Sequence, residues 1–272
     1  MEAAVQALDL NAMNAALAET PFAGRITLFP AITSTNTHAM AEGDAGAAHG
    51  SVYVAEEQTG GRGRGAHAWA SPPGSGLYVS VLLRPQMAPG DALWISLAAG
   101  LAVRHAVEEM TTLQADLRWP NDLMLGKKKF CGILTEMHAE ATRVRHVVVG
   151  IGINVLQMAF PEGLDAMATS LQIETGLQWS RQDLLVALLQ ALDREMSALG
   201  DAMRMDAAKQ SILERIERAS SWVRGKRVRV DEGAGFAGVT DGLNAQGFLQ
   251  VRTQDGIRTV LSGGVREDDG GR

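Results

Sequence analysis

Apolar residues recur along this chain at two spacings. The helical period is clearest from Asp91 to Met110, where Leu93, Leu97, Leu101 and Val103 share an apolar stripe. It returns after Ser180, a cap residue with an acid three positions on at Asp183. Leu185, Leu188, Leu189, Leu192, Met196 and Leu199 keep that period, and a further helix is expected from about Met203 to Arg218. Residues 2–18 are rich in Ala and Leu and predict a short helix that ends before Thr20-Pro21. Ser34-Thr35-Asn36 offers three cap residues before a second helix, expected from about Thr37 to Glu42. The other pattern is extended. Strands are expected at Arg25–Ile32, Ser51–Ala55, Leu77–Arg84, Asp116–Trp119, Leu123–Leu125, Lys129–Met137 and Val144–Ile153. A turn at Pro120-Asn121-Asp122 separates two of them, and Gly126-Lys127 predicts a hairpin connection. The continuous apolar runs Val147–Val149 and Ile151–Ile153 point to a central sheet.

After Ser220 the texture changes to short β-like runs separated by glycines, around Val228, Val230, Phe236–Val239, Phe248–Val251 and Ile257–Leu261. That spacing suggests a small antiparallel barrel. The expected architecture is α+β, a mixed sheet with flanking helices followed by the barrel. The expected division is a larger domain over 1–220 and the barrel over 221–268, with 269–272 a disordered tail. The polar stretch from Arg266 is expected to fray.

Composition narrows the function. The 272 residues carry 25 Lys+Arg against 31 Asp+Glu, a net charge of −6, which argues against nonspecific nucleic-acid binding. No apolar run approaches the roughly 18 residues of a membrane span. The single cysteine, Cys131, excludes an internal disulfide and a multi-cysteine zinc site, and it sits inside an expected strand as a small core residue. The histidines show no metal-ligand spacing, so no metal is assigned to them. The N-terminus lacks the basic region of a signal peptide.

Four segments can carry chemistry. Glu57–Gly76 holds Gly60, Gly61, Gly63, Gly65, Gly74 and Gly76 with Pro72 and Pro73, too many for a regular element. Within it, Gly61-Arg62-Gly63-Arg64-Gly65 combines backbone that can approach a ligand with cations suited to phosphate or carboxylate. The pattern is neither a P-loop nor a dinucleotide fingerprint; a solvated surface loop is the plain alternative. Arg118-Trp119-Pro120-Asn121-Asp122 is either a turn whose Asn121 and Asp122 satisfy local backbone groups or part of a site. Lys129 opens the apolar strand Phe130–Leu134, a position that needs a reason such as an anionic ligand, and Gly132 in that strand suggests close approach of another backbone or a ligand. Asn154 closes Gly150-Ile151-Gly152-Ile153-Asn154, as a turn cap or as an amide at the floor of a site.

Their order carries more than any one of them. Ser34-Thr35-Asn36, Glu57 to Arg64, Trp69, Arg118 to Asp122, Lys129 with Gly132-Ile133-Leu134, and Gly150 to Asn154 together resemble the catalytic domain of biotin protein ligases. That resemblance implies a class II synthetase-like catalytic fold and an SH3-like C-terminal domain. It implies that biotin and Mg-ATP give biotinyl-5′-adenylate and pyrophosphate. A lysine of a biotin carboxyl carrier protein then takes the biotinyl group and releases AMP. By the same resemblance Ser34, Thr35, Asn36, Gln58, Arg62, Gly63, Arg64, Lys129 and Gly132 bind biotin, and Trp69, Asn121, Lys129 and Asn154 contact the nucleotide. Lys129, Arg62 and Arg64 offset the crowded negative charge, and Asp122 receives or orients the incoming lysine. One departure falls in the loop, where Ala66-His67-Ala68-Trp69 has a histidine in place of a basic residue usual in the family. Alternatives are a lipoate ligase or octanoyltransferase, which shares fold and carrier logic, and an inactive biotin-binding module. Only 33 residues precede Ser34, so no DNA-binding winged helix is expected. The protein is expected in the cytoplasm, with a homodimer left open.

Overall fold

The computed structural model describes residues 7–65, 67–201, 203–261 and 264–268. A short helix α1 (Leu10–Ala16) is capped by Asp9, whose carboxylate accepts from the backbone of Asn11 and Ala12; the expected helix residues 2–6 lie outside the described residues. Strand β1 (Ile26–Phe29) leads to α2 (Thr35–Asp44). This helix starts two residues before the expected position because Ser34 is its cap, its hydroxyl accepting from the Thr37 N–H.

The main sheet continues with β2 (Ser51–Ala55), β3 (Gly76–Leu83), β4 (Asp116–Arg118), β5 (Asp122–Leu125), β6 (Lys128–Ala139) and β7 (Val144–Asn154). Its strand order is β1-β2-β3-β7-β6-β5-β4. Only β1 and β2 run parallel, so the sheet is mixed. β3 is buried along its whole length, as its unbroken apolar run demands of a central strand. Helix α3 (Ala92–Thr111) and helix α5 (Arg181–Gly200) pack against each other beside the sheet, with Trp94, Ile95, Ala98, Ala102, Leu184, Leu188 and Leu192 in one core. Burying a leucine or isoleucine side chain contributes about 1.5–3 kcal/mol. Helix α6 (Met205–Ala219) adds Ile212 and Ile216 to that core. A single-turn helix α4 (Leu171–Thr175), capped by Ser170, was not expected; five residues are too few to show a period.

A second, five-stranded antiparallel sheet follows: β8 (Arg224–Val230), β9 (Phe236–Leu243), β10 (Leu249–Thr253), β11 (Gly256–Val260) and β12 (Val265–Glu267), in the order β11-β10-β9-β8-β12. It fits the SH3-like unit. The expectation of fraying from Arg266 is corrected here. β12 pairs with β8, buries Val265, and ties its polar residues outward, Arg266 to Asp231 at 3.3 Å and Glu267 to Lys226 at 2.7 Å. Residues 269–272 lie outside the described residues. The two sheets are fastened together where Trp119 Nε1 donates to the Gly247 carbonyl (3.0 Å) and Ser221 Oγ to Asp116 (2.5 Å). Among the described residues no helix is long and apolar enough to cross a membrane.

Candidate active site

A cleft opens where the N-terminus of α2 meets β3, β6 and β7. Its floor is made of strand glycines. Gly132 of β6 and Gly152 of β7 are register partners, which leaves a flat window across two strands. The Trp69 ring lies over that window. A Cβ on Gly152 would sit 2.5 Å from Trp69 Nε1, and one on Gly132 would sit 3.0 Å from the same ring and from Lys129 Nζ. Gly150 serves a different neighbour, since a Cβ there would come within 2.1 Å of Asn36 Oδ1. The glycines of this segment are therefore fixed by close approach, not by backbone angle.

Buried polar groups form the inner wall. Ser34, Thr35 and Asn36 are 2–4% exposed. Gln58 Oε1 accepts from both the backbone N–H (2.9 Å) and the hydroxyl (3.1 Å) of Thr35, while its Nε2 donates to Ser71 Oγ at 2.9 Å. Asn36 Nδ2 donates to the Leu134 carbonyl (3.2 Å) and to Glu136 (3.0 Å). Ser80 Oγ lies within hydrogen-bond distance of Thr35 Oγ1 (2.8 Å) and Asn36 Oδ1 (2.7 Å). A satisfied network of this kind holds amides and hydroxyls in one arrangement.

The roof is the glycine-rich segment between β2 and β3. It is tied into a small hairpin: Gly63 N–H donates to the His67 carbonyl (2.7 Å), Trp69 N–H to Gly61 (2.9 Å) and Gln58 N–H to Ser71 (3.2 Å). His67 is exposed and contributes its backbone, so the roof is built without the basic side chain usual at that point. Arg62 reaches across to Glu136 (2.7 Å) and Thr37 Oγ1 (3.2 Å). Burial lowers the proton affinity of Arg64, opposed by the charges of Asp122 and Glu232; a guanidinium remains charged under such a shift.

Cations gather at the outer end. Lys129 Nζ lies 2.6 Å from Asp122 Oδ1 and 5.3 Å from the centre of the Trp69 ring. Arg118 bonds the other Asp122 oxygen and stacks over Trp222. Burial alone would raise the Asp122 carboxyl, but Lys129 and Arg118 beside it hold it below the usual carboxylate value. Asn121 does not cap its own turn: its Nδ2 donates to the Ile133 carbonyl of β6 at 2.7 Å. Cys131 is fully buried, and burial pushes its thiol up, in keeping with a core role.

The cleft thus brings together Ser34, Thr35, Asn36, Gln58, Arg62, Gly63, Arg64, Trp69, Asn121, Lys129 and Gly132. Asp122 stands behind Lys129, off the cleft lining. Asn154 is also off it: its amide donates to the Thr169 carbonyl (3.0 Å) and accepts from Gln157 (3.3 Å). Sequence reasoning missed Ser71, Ser80 and Glu136. Ser80 did leave a signal, a serine in the middle of an apolar central strand, as did Glu136, an acid inside a long one.

Comparison with known proteins agrees with this geometry. Residues 28–154 match the biotin/lipoate A/B protein ligase family. The biotin–[acetyl-CoA-carboxylase] ligase of Mycobacterium tuberculosis is 35% identical over 236 residues, covering 84% of this chain and 82% of that protein. The bifunctional ligase/repressor BirA of Bacillus subtilis is 34% identical over 235 residues, covering 86% of this chain and 70% of that protein. The structure of the Aquifex aeolicus biotin protein ligase in complex with biotin and ATP superposes with a TM-score of 0.78 at 29% identity, covering 90% of this chain and all of that one. Glycine window, polar inner wall, cationic rim and these relatives lead to one conclusion: the chain belongs to the biotin/lipoate A/B protein ligase family, among its biotin protein ligases.

Proposed function

We propose that this cleft binds biotin and ATP, forms biotinyl-5′-adenylate with release of pyrophosphate, and passes the biotinyl group to a lysine of a carboxylase carrier protein with release of AMP. One observation carries the reading: a buried polar wall and a set of three cations, Arg62, Arg64 and Lys129, meet over a single glycine floor. The wall suits a small ring with polar edges held in an apolar slot. The cations suit the first step, in which a carboxylate must approach a triphosphate and both negative charges need offsetting. Ser34, Thr35, Asn36 and Gln58 fit the ureido end of biotin. Lys129 fits its carboxylate and the α-phosphate, with Gly63 and Gly132 giving close backbone approach. Trp69 and Asn121 fit the nucleotide side, and Asn154 supports that side from behind through Thr169.

Asp122 is ionised and bonded to two cations, so it is a weak base in this state. Its role is to hold Lys129 and to meet the positive charge of an arriving lysine. Asp122 and Glu136 already hold Lys129 and Arg62. The donor set therefore suits Mg2+ that enters on the phosphates of ATP, where it would neutralise phosphate charge, more than one held by a protein cage. We also place the domain division near residue 220, between the ligase unit and the C-terminal sheet.

The test is transfer of biotin to a purified carrier domain, with and without ATP, beside the same assay with lipoate. ATP-dependent biotin transfer with AMP release is expected. Preference for lipoate, or biotin binding without AMP formation, would overturn the reading.

A further inference from the structure

At the far ends of the elements that build the cleft lies a second cluster of chemistry-bearing side chains. α2 starts at Thr35 in the cleft and ends at Asp44. β6 and β7 carry the glycine window toward one end and the directly paired His138 and His146 toward the other. Asp44, His138 and His146 present one ligand atom each, and all three atoms lie within 4.8 Å of one another. His138 Nδ1 is 2.6 Å from Asp44 Oδ1, and His146 Nε2 is 3.9 Å from the same oxygen. The two rings meet edge to face at 5.6 Å.

The decisive atom is His146 Nε2. The His146 side chain is 1% exposed, yet Nε2 has no hydrogen-bond partner. A buried polar atom left unpaired costs about 1–3 kcal/mol, so its orientation needs a reason. The ring is seated against Gly43, where a Cβ would come within 2.6 Å of Cδ2 and Nε2. A glycine inside α2 thus makes room for an imidazole whose free nitrogen faces a carboxylate and a second imidazole.

We propose that Asp44, His138 and His146 form a binding site for a divalent ion of the zinc class. Two imidazoles and a carboxylate are ligands that suit such ions, with water completing the coordination. A tetrahedral ion with bonds of about 2.0–2.1 Å spaces its donors roughly 3.3 Å apart. The two distances to Asp44, 2.6 and 3.9 Å, bracket that spacing, so each of these pairs needs a shift of less than an ångström to meet it. Asp44 and His138 are about half exposed, which leaves them free to adjust and gives the ion a route in. Two cations are near. Arg84 is held by the Gly43 and Ala47 carbonyls, and Arg145 by Glu140. The ion would clamp the C-terminal end of α2 onto the strands whose other ends form the cleft floor. The proposal stands on this cluster alone and survives whatever the cleft binds.

The test uses the full chain without an affinity tag and without ATP or biotin. Cobalt(II) is titrated while its visible d–d absorption is followed, and zinc(II) is then added. Expected are one equivalent of cobalt per chain with the bands of a low-coordinate ion, displaced by zinc. His138→Ala and Asp44→Asn, both at exposed positions, are each expected to weaken cobalt binding about tenfold or more. His105→Ala, an exposed histidine outside the cluster, leaves it unchanged. Circular dichroism of the metal-free variants separates lost ligation from lost folding. Absence of stoichiometric binding to the parent chain, or binding kept by both variants when they are folded, would overturn the site.

Discussion

The cleft is glycine-rich above and below, and the tip of the roof has a different reason for its glycine than the floor. In the floor, Gly132, Gly150 and Gly152 are strand residues whose missing side chains make room for Trp69, Lys129 and Asn36. In the roof, Gly65 has open space around it, and its φ of +67° is what excludes other residues. The floor is fixed by packing, as is Gly61 at the base of the roof, where a Cβ would meet the Trp69 carbonyl at 2.4 Å; the Gly65 tip is fixed by backbone geometry. A rigid floor can preorganise charge and hydrogen bonds, while a hinge-like roof can open for substrate and close on a water-sensitive intermediate. Replacing residues on each side should separate these roles.

The largest effect is expected at Lys129, the cation rooted in the floor. Lys129→Ala removes charge aimed at the meeting of carboxylate and phosphate, so biotin-dependent ATP–pyrophosphate exchange should fall about 100-fold, in the range seen when one preorganised electrostatic donor is lost. A rate within threefold of the parent would place the offsetting charge elsewhere. The roof counterpart is Arg64→Gly. The floor is untouched, so adenylate still forms, but a loosened roof lets it escape. Stray biotinylation of non-carrier lysines, read by mass spectrometry, should rise about tenfold. No rise would mean that Arg64 does not hold the roof over the intermediate.

How much of this was visible in the sequence differs between the two sides in the same way. The roof is local, and its Gly-Arg-Gly-Arg run is legible without a fold. The main strands and helices were legible too, because α3, α5 and β7 repeat one pattern over many residues. The floor depends on the register of β6 against β7, which pairs Gly132 with Gly152 across some twenty positions. No local pattern announces a pairing at that distance. For the same reason Ser80 and Glu136 joined the wall only once β3 and β6 were placed. Asn154 turned toward Thr169, a loop residue that the strand pattern could not locate. β12 was read as tail because Arg266 and Glu267 are polar, yet on an edge strand polar side chains are affordable when each meets an opposite charge.

Gly152→Ala tests the packing account of the floor. The new methyl would meet Trp69 Nε1 at 2.5 Å, so the ring must lift from the window. The apparent affinity for ATP in pyrophosphate exchange should fall about fivefold, near 1 kcal/mol, with the exchange rate at saturating ATP much less affected. An unchanged affinity would show that the ring leaves the window anyway on binding.

Asp122 gives the cationic rim a pH signature. Its folded-state carboxyl ionises below the ordinary 3.8, because Lys129 and Arg118 outweigh the opposing effect of burial. The stabilisation is therefore complete above that value and is lost as the pH falls through the lower folded value. Asp122→Asn should flatten the acid limb of the unfolding profile below pH 3.8 and leave its neutral limb parallel to the parent. An identical acid limb would mean that the ion pairs contribute nothing to folding.

The smallest effect is expected at Gly65, and it sharpens the contrast most. A methyl there meets nothing within 4 Å, so any penalty comes from holding an alanine at φ +67°. That costs about 1–2 kcal/mol for an L-residue in the left-handed region, and it falls on the roof hairpin alone. Gly65→Ala should leave the unfolding temperature of the whole chain unchanged and alter exchange by less than about threefold, while raising proteolytic nicking within the roof. If it instead lowered the unfolding temperature of the whole chain, the tip of the roof would be part of the packed core and Gly65 would have the same origin as the glycines of the floor.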